Sequence, residues 1–283
     1  MAPRLALVTG ANQGIGLAIA RGLATAPEMH CILTARDEAR GRQAVAALRR
    51  ELPDARLSFH QLDVTDEGSI ARLAAHIAAE HGGRLHVLVN NAGIAFKGDT
   101  FGPEEARATL AVNLHGTVHV TEALLPFLRA AAAAAGGGGG GGGARIVNIC
   151  SVAGRLAQVA PGLQVRFQDP DASPATLRAL TDEFVAAISD GSYAAAGWPR
   201  SMYGVSKLAQ IAYTYSLARR LLHDGIVVGA VCPGYCATAM SSFKGHKTPA
   251  EGADTALFLA LEDNLAPAAV TGGLWQERRL IPW

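Results

Sequence analysis

Residues 5–16 read Leu-Ala-Leu-Val-Thr-Gly-Ala-Asn-Gln-Gly-Ile-Gly, an apolar run that leads directly into a glycine-rich turn. The apolar run predicts a strand over 5–9, and the residues after the turn predict a helix over 15–26. Glycines between a strand and a helix allow a tight turn and let backbone N–H groups approach a pyrophosphate at the helix N-terminus. The spacing Gly-x3-Gly-x-Gly departs from the common Gly-x-Gly-x2-Gly fingerprint, but its place between strand and helix favours nucleotide binding over a plain turn. The candidate contacts are Gly10, Asn12, Gln13, Gly14, Ile15 and Gly16.

The same alternation of strand and helix continues along the chain. Short apolar runs rich in β-formers predict further strands, which lie at 30–35, 56–62, 86–90, 144–151, 226–232 and 273–275. Helical patterns predict helices between them, at 39–52, 68–81, 103–128, 202–222 and 249–261. Because strands and helices alternate, we expect an α/β fold in which a single domain over residues 1–283 contains a Rossmann-type, doubly wound parallel sheet.

Two segments interrupt this alternation. Residues 130–143 are six alanines followed by eight glycines. The alanines can extend the preceding helix, but the glycines cannot hold regular structure, so we expect a flexible surface loop here. Residues 153–200 are a far longer connection than an ordinary loop, and 175–189 within it can form a helix. Its apolar face would hold Leu177, Leu180, Phe184 and Ile188.

Composition limits the class of protein. With 49% hydrophobic and 17% charged residues, the chain can bury a sizeable core and is unlike a disordered protein. Its net charge of +1 gives no reason to expect nucleic acid or anionic lipid as a partner. Neither a membrane span nor a secretory leader is expected, because no strongly apolar run reaches about 18 residues and the first apolar run begins at Leu5. We therefore expect a cytoplasmic protein.

The cysteines give no sign of a disulfide framework or a metal site. None of the four belongs to a Cys-x2-Cys pair, and no second cluster completes a ligand set. We expect no bound metal and four buried free thiols, at Cys31, Cys150, Cys232 and Cys236.

The end of the second predicted strand bears on the choice between NAD and NADP. A carboxylate at this place bonds the ribose 2′-hydroxyl of NAD and repels a 2′-phosphate. Here Ala35 ends the strand and Arg36 follows, whose guanidinium suits a phosphate. Asp37 supports the competing interpretation, in which its carboxylate binds NAD and Arg36 points to solvent. We favour NADP(H) as the cofactor, with Arg36 as the phosphate contact.

A second group of polar residues points to proton transfer. Tyr203 and Lys207 are four residues apart on a predicted helix, so they share one face. A nearby ammonium and an oxidised nicotinamide both stabilise the phenolate, so we expect the pKa of Tyr203 to lie below its usual value of about 10. Ser151, at a strand end, can hold a substrate carbonyl through its hydroxyl. Asn113 can organise a water for the proton relay.

These motifs, in this order, resemble those of the short-chain dehydrogenases/reductases. The resemblance runs from Leu5 nearly to the C-terminus and includes the glycine-rich turn, Asn90-Asn91-Ala92-Gly93, Asn113, Ser151, Tyr203 with Lys207, and Pro233-Gly234 with Thr238. It implies that Tyr203 is the acid/base and that Lys207 binds the ribose and tunes Tyr203, with Ser151 and Asn113 as the other catalytic residues. It also implies cofactor contacts from Asp63, Val64, Asn90, Gly93, Tyr203, Lys207, Pro233, Gly234 and Thr238.

Further features resemble the monomeric carbonyl reductases within that family. They are Asn90-Asn91-Ala92-Gly93-Ile94-Ala95-Phe96-Lys97, the strand end Thr34-Ala35-Arg36-Asp37 and the 52-residue step from Ser151 to Tyr203. In those enzymes the extra segment packs over helices that other members use to form tetramers, so the resemblance implies a monomer. It also implies substrate contacts from Ser151, Phe96, Lys97 and Tyr235. Gln13 departs from the basic residue that many NADP enzymes carry at its position.

The resulting expectation is an enzyme that reduces a small-molecule carbonyl compound (a quinone, ketone or aldehyde) with NADPH, with Tyr203 as proton donor. NADP-dependent oxidation of a secondary alcohol, such as a steroid, uses the same residues and stays open. A third alternative, of another class, is a nucleotide-binding sensor without turnover, although such proteins typically lose the tyrosine or the lysine. Fold alone does not decide among these functions.

Overall fold

The apolar runs form the strands of a central sheet. A computed structural model describes residues 3–135, 143–262, 265, 270 and 272–283. The strands in this part of the chain are β1 (Arg4–Val8), β2 (Met29–Ala35), β3 (Arg56–Gln61), β4 (Val87–Asn90), β5 (Arg145–Ile149), β6 (Val227–Val231), β7 (Leu274–Gln276) and β8 (Arg279–Ile281).

The strand order in the sheet is β3-β2-β1-β4-β5-β6-β7-β8. All neighbours are parallel except β7 and β8, and Ala6 of β1 pairs with Cys31 of β2 on one side and Val87 of β4 on the other. The order reverses between β1 and β4, and sheets of this kind bind ligands outside the carboxyl ends of the strands at such a switch point. The predicted doubly wound, mostly parallel sheet is confirmed.

Helices cover both faces of the sheet. In the described residues they are α1 (Gly14–Ala24), α2 (Glu38–Glu51), α3 (Glu67–Glu80), α4 (Pro103–Leu110), α5 (Thr117–Ala134), α6 (Pro161–Phe167), α7 (Pro174–Ser189), α8 (Met202–Arg220) and α9 (Pro249–Leu261). Apolar residues of α1, α2 and α9 pack on one face, and those of α3, α5 and α8 pack on the other. None of the helices in these described ranges has both the length and the hydropathy that crossing a membrane requires.

The four cysteines contribute to this core. Each is buried and carries a free thiol, as predicted, and burial raises the pKa of both Cys31 and Cys150 to about 12. At neutral pH these two side chains therefore behave as small apolar groups.

The structure differs from the predicted elements at two places. The helix expected over 103–128 is divided by a π-helical turn, Ala111–Gly116, where one turn closes i to i+5 hydrogen bonds. As the sequence allowed, the alanines at the start of segment 130–143 extend the preceding helix, since α5 continues to Ala134, where alanine favours the helix and Ala131 and Ala132 are buried. The rest of that expected loop, residues 136–142, lies outside the described residues. Strand β8 has no counterpart among the predicted strands.

The long connection 153–200 carries structure of its own. It contains α6 and α7, and α7 packs against α4 and α8. The predicted apolar face of α7 is confirmed, since Leu177, Leu180 and Phe184 are buried and Ile188 packs against the same core. Trp198 closes this cluster through an edge contact with the ring of Phe167 and a tilted contact with the ring of Phe184. The segment therefore adds a second helical layer beside the carboxyl ends of the strands.

Candidate active site

The glycine-rich turn after β1 is hydrogen-bonded to the loop after β4. Asn91 Nδ2 donates to the carbonyl oxygens of Thr9 (2.9 Å) and Gly10 (3.0 Å), and Thr9 Oγ1 accepts from the backbone N–H groups of Asn91 and Ala92. Gly10 has φ +61°, and a Cβ added there would stand 2.9 Å from Ala92 Cα. The two loops therefore approach as closely as glycine permits, and Asn91, which the sequence left without a role, holds them together.

A cleft of about 420 Å³ opens beside this turn, at the carboxyl ends of β1, β2 and β4. Eleven of the predicted cofactor contacts line it: Gly10, Asn12, Gln13, Gly14, Ile15, Gly16, Arg36, Asp63, Val64, Gly93 and Thr238. The start of α1 faces the cleft with its free N–H groups, which is the arrangement that binds a phosphate. The cleft therefore fits a dinucleotide whose pyrophosphate lies on the turn.

Arg36 and Asp37, the two candidates for recognising the 2′-position of the cofactor's ribose, differ in their surroundings. Arg36 lines the cleft, whereas Asp37 is the N-cap of α2 and accepts a hydrogen bond from Arg40 N at 2.9 Å. The Asp37 carboxylate also lies 3.5 Å from Arg40 Nε. A capping carboxylate is held by its helix, so the arrangement favours a phosphate at Arg36 over a ribose diol at Asp37.

The reactive side chains lie on α8 and at the end of β5. Ser151 caps a short 3-10 turn after β5, where its Oγ accepts from Ala153 N at 3.1 Å, and its hydroxyl lies close enough to the Tyr203 side chain to affect the Tyr203 pKa. Lys207 Nζ lies 5.7 Å from the centre of the Tyr203 ring. Gly93 joins this group to the cleft, since a Cβ added there would stand 3.3 Å from Asn113 Oδ1 and 3.8 Å from Lys207 Nζ. The sequence-predicted tyrosine, lysine, serine and asparagine are thus brought together.

Burial sets the protonation states of this pair. It raises the pKa of Tyr203 to about 12, although the hydrogen bond from Ser151 lowers it in part. It also lowers the pKa of Lys207 to about 8. In the chain without cofactor the pKa of Tyr203 is therefore raised, because burial disfavours the charged phenolate. The expected lowering, which includes the charge of an oxidised nicotinamide, stays a prediction. At neutral pH, Tyr203 holds its proton.

Two neutral oxygen atoms hold Lys207. Its Nζ donates to Ile149 O at 2.7 Å and to Gln210 Oε1 at 2.8 Å. Gln210 is fully buried on α8, three residues after Lys207. Sequence reasoning missed it, although a lone amide one helical turn from a candidate lysine was a visible signal.

Asn113 lies in the π-helical turn, and its side chain is fully engaged. Its Oδ1 accepts from Ile94 N at 2.8 Å, and its Nδ2 donates to Ile94 O at 3.0 Å and to Ser206 Oγ at 2.9 Å. Ser206 Oγ in turn donates to the carbonyl oxygen of Tyr203. π-turns often occur at functional sites, and this one places Asn113 as a brace between the loop after β4 and the start of α8.

Five predicted cofactor contacts lie outside the cleft lining: Tyr203 and Lys207, described above, and Asn90, Pro233 and Gly234. The Asn90 side chain is 2% exposed and donates to Thr121 Oγ1 and Asn148 Oδ1 beneath the site. Pro233 and Gly234 follow β6, and Gly234 has φ +80° beside the Lys247 side chain. Each of these last three supports neighbouring segments that do reach the cleft.

Exposed apolar side chains occur among the predicted substrate contacts and in the cleft lining. Phe96 and Tyr235, predicted as substrate contacts, are 44% and 50% exposed, and Lys97 is also exposed. Met240 and Phe243 line the cleft and were not predicted, although they follow the Pro233-Gly234 motif closely. Large apolar groups left in water commonly mark a ligand-binding site.

Comparison with known proteins places this geometry in a family. The family model for short chain dehydrogenases matches residues 4–161 and 187–248, and so skips α6 and most of α7. Carbonyl reductase (NADPH) 1 of Rattus norvegicus is 38% identical, covering 99% of this chain and 98% of its own. Carbonyl reductase (NADPH) 3 of Mus musculus is 41% identical over 91% of both chains.

Solved structures agree with the sequence relatives. Salutaridine reductase from Papaver somniferum superposes with a TM-score of 0.82 at 28% identity, covering 96% of this chain and 99% of its own. An NADPH-bound carbonyl reductase from chicken fatty liver has a TM-score of 0.74 at 25% identity, covering 100% and 95%. The resemblance inferred from the motifs is confirmed, and the chain belongs to the short-chain dehydrogenase/reductase family.

Proposed function

We propose that this protein reduces carbonyl compounds with NADPH, acting on quinones, ketones or aldehydes. The observation that carries the proposal is Tyr203, a half-buried phenol that holds its proton at neutral pH and stands beside Ser151 and the Lys207 ammonium. Reduction of a carbonyl needs such a proton donor, whereas alcohol oxidation begins from the phenolate. The similarity to carbonyl reductases named for NADPH gives independent support.

The chain's own residues divide the work at the carbonyl. The Ser151 hydroxyl would hold the carbonyl oxygen, and Tyr203 would give its proton to that oxygen. The Lys207 ammonium would stabilise the phenolate that remains, since a positive charge in a buried site acts strongly at short range. When bound, NADPH supplies the hydride for the carbonyl carbon. Asn113 would serve by fixing the loop after β4 against α8.

The cleft residues would bind the cofactor. The turn from Gly10 to Gly16 would receive the pyrophosphate, and Arg36 would receive the 2′-phosphate. Asp63 and Val64 would lie against the adenine, where the Asp63 carboxylate is itself fixed by the N–H and hydroxyl of Thr65. The third N–H of Lys207 would bond a ribose hydroxyl. Pro233, Gly234 and Thr238 would flank the nicotinamide, and Phe96, Lys97 and Tyr235 would contact the substrate.

Assembly and location complete the proposal. We expect the whole chain to act as one domain and as a monomer, because α7 covers α4 and α8. Light scattering that gives a mass near 29.3 kDa would support the monomer, and a tetramer would contradict it. A cytoplasmic location stays a prediction from the sequence.

The proposed function is tested by following NADPH absorbance with a panel of quinones, isatin and aromatic aldehydes, and by repeating the assay with NADH. We expect turnover that is much faster with NADPH. Tight NADPH binding without turnover on any carbonyl or secondary alcohol would reject the proposal and favour a nucleotide sensor.

Replacing Arg36 tests the assignment of the phosphate. In Arg36→Ala we expect the ratio of kcat/KM for NADPH to that for NADH to fall by about 10- to 100-fold, which is the value of one charge-assisted hydrogen bond to a phosphate. Arg42→Ala is the matched control, because Arg42 is similarly exposed on α2 and pairs with Glu38. An unchanged cofactor ratio in Arg36→Ala would show that another residue reads the phosphate.

A further inference from the structure

Gln210 is a neutral amide buried in an otherwise apolar part of α8. Its Oε1 accepts from Lys207 Nζ at 2.8 Å, and its Nε2 donates to Thr117 Oγ1 at 3.1 Å. A buried amide is costly unless its polar atoms are paired, and here both ends of the amide are paired. One of the two partners is the lysine of the reactive group.

The contacts of Gln210 continue to the π-helical turn. Thr117 Oγ1 accepts from Gln210 and donates to the carbonyl oxygen of Asn113 at 3.0 Å. Lys207, Gln210, Thr117 and the Asn113 backbone therefore form one unbroken path of hydrogen bonds. The Asn113 side-chain amide donates to Ser206 Oγ, which donates to the backbone carbonyl of Tyr203, so these hydrogen bonds lead back to the start of α8.

The Lys207 ammonium is hydrogen-bonded to neutral acceptors, with no carboxylate among them to neutralise its charge. Its two acceptors, Ile149 O and Gln210 Oε1, are both neutral. The titratable groups that face it are Tyr203 on its own helix, Cys150 after β5 and Cys232 after β6. A carboxylate at position 210 would neutralise the ammonium, and an apolar residue would leave one N–H without its acceptor. Glutamine therefore fixes the position of the ammonium without neutralising it, so its positive charge continues to act on Tyr203.

We propose that Gln210 is a positioning residue for the reaction, which holds the Lys207 ammonium in its charged form and at a fixed distance from Tyr203. The proposal rests on the proposed function, because Lys207 matters only if Tyr203 transfers a proton. Gln210 itself acts through Lys207 and touches neither substrate nor reacting atoms.

The protonation of Lys207 can be measured directly in the cofactor-free protein. The sequence contains only four lysines, Lys97, Lys207, Lys244 and Lys247. An NMR titration of ¹³Cε-labelled lysine can therefore resolve Lys207, whose pKa burial has lowered to about 8. A hydrogen bond to the ammonium favours the charged form, so in Gln210→Met we expect the Lys207 pKa to fall further, by about one pH unit.

The same shift is expected in the pH dependence of kcat/KM. Reduction loses the ammonium as the pH rises through the Lys207 pKa, so kcat/KM for the carbonyl at saturating NADPH should fall on the alkaline side. In Gln210→Met this alkaline limb should move to lower pH by about the same one unit. Gln210→Glu keeps an acceptor oxygen in place, so the Lys207 pKa should stay at or above its wild-type value.

Thr214→Val is the matched control. Thr214 is a buried polar residue on the same helix, with bonds to Asn148 Nδ2 and Gln210 O but none to Lys207. We expect it to lower the melting temperature and to leave the Lys207 titration unchanged. If Gln210→Met does not fold, Thr117→Val removes the far partner of the amide, together with the hydrogen bond from Thr117 to Asn113 O, and should lower the Lys207 pKa by a smaller amount.

Three outcomes would overturn the proposal. They are a Lys207 pKa unchanged in Gln210→Met, an equal shift in Thr214→Val, or a Gln210→Glu variant that lowers the pKa as much as methionine does. These are distinct from failure of the proposed function, which would appear as wild-type protein without carbonyl turnover, whatever the NMR titration shows.

Discussion

Tyr203→Phe is expected to lower kcat for carbonyl reduction by about 10²- to 10⁴-fold, the usual contribution of a positioned general acid. The substitution removes the hydroxyl that lies near Ser151 and leaves the ring beside Lys207. NADPH binding should change little, because Tyr203 does not line the cofactor cleft. Stopped-flow absorbance gives kcat, and a fluorescence titration gives Kd for NADPH.

Tyr213→Phe provides the control on the same helix. Its hydroxyl donates to Glu122 Oε1 at 3.0 Å, away from Ser151 and Lys207. Removing it should reduce the free energy of unfolding by about 1 kcal/mol and leave kcat unchanged. Retained turnover in Tyr203→Phe, or equal losses in both variants, would remove Tyr203 from its role as proton donor.

Most of the sheet could be predicted because its strands are buried on both faces. Such strands read as continuous apolar runs, as β1 and β6 do, and turn residues mark where they end. Strand β8 lacks this signal, since Arg279 and Leu280 are exposed. Its turn residues, Glu277 and Arg278, both have positive φ without the glycine or asparagine that usually reveals a two-residue hairpin turn.

The π-helical turn could not be predicted, because it too leaves no signal in the apolar pattern. A single wider turn inserts one residue without disturbing the apolar spacing on either side, so 103–128 reads as one helix. The family motif identified Asn113, but only the coordinates show that its amide is bound to Ile94 and Ser206. A contact across 93 residues, such as the one between Asn113 and Ser206, leaves no periodic mark on either segment.

The protonation of Tyr203 shows where reasoning from charges alone fails. The spacing of Tyr203 and Lys207 revealed the attractive interaction, which favours the phenolate. It did not reveal how far the surrounding segments remove the half-buried Tyr203 and the buried Lys207 from water. Burial acts on the two pKa values in opposite directions, upward for the phenol and downward for the ammonium, and it is the largest cause of both shifts.

Gly16→Ala is expected to weaken NADPH binding by about 10- to 100-fold and to lower the free energy of unfolding by about 1–3 kcal/mol. A Cβ at this position would overlap the Asn91 amide and stand 2.7 Å from Gly10 O. Asn91 Nδ2 and Gly10 O are hydrogen-bonded to each other across the two loops, so the methyl group must displace Asn91 or open the turn. Either movement shifts the backbone N–H groups that face the pyrophosphate. Isothermal titration with NADPH and urea unfolding measure the two effects.

Gly162→Ala separates this steric effect from the general effect of losing a glycine. Gly162 lies near the start of α6, and a Cβ added there would meet nothing within 4 Å. Alanine there should raise the free energy of unfolding by about 0.5–1 kcal/mol, because it reduces the freedom of the unfolded chain. NADPH affinity should be unchanged in this control. If Gly16→Ala bound NADPH as tightly as Gly162→Ala, the pyrophosphate could not lie on the turn, and the cofactor would have to enter the cleft in another orientation.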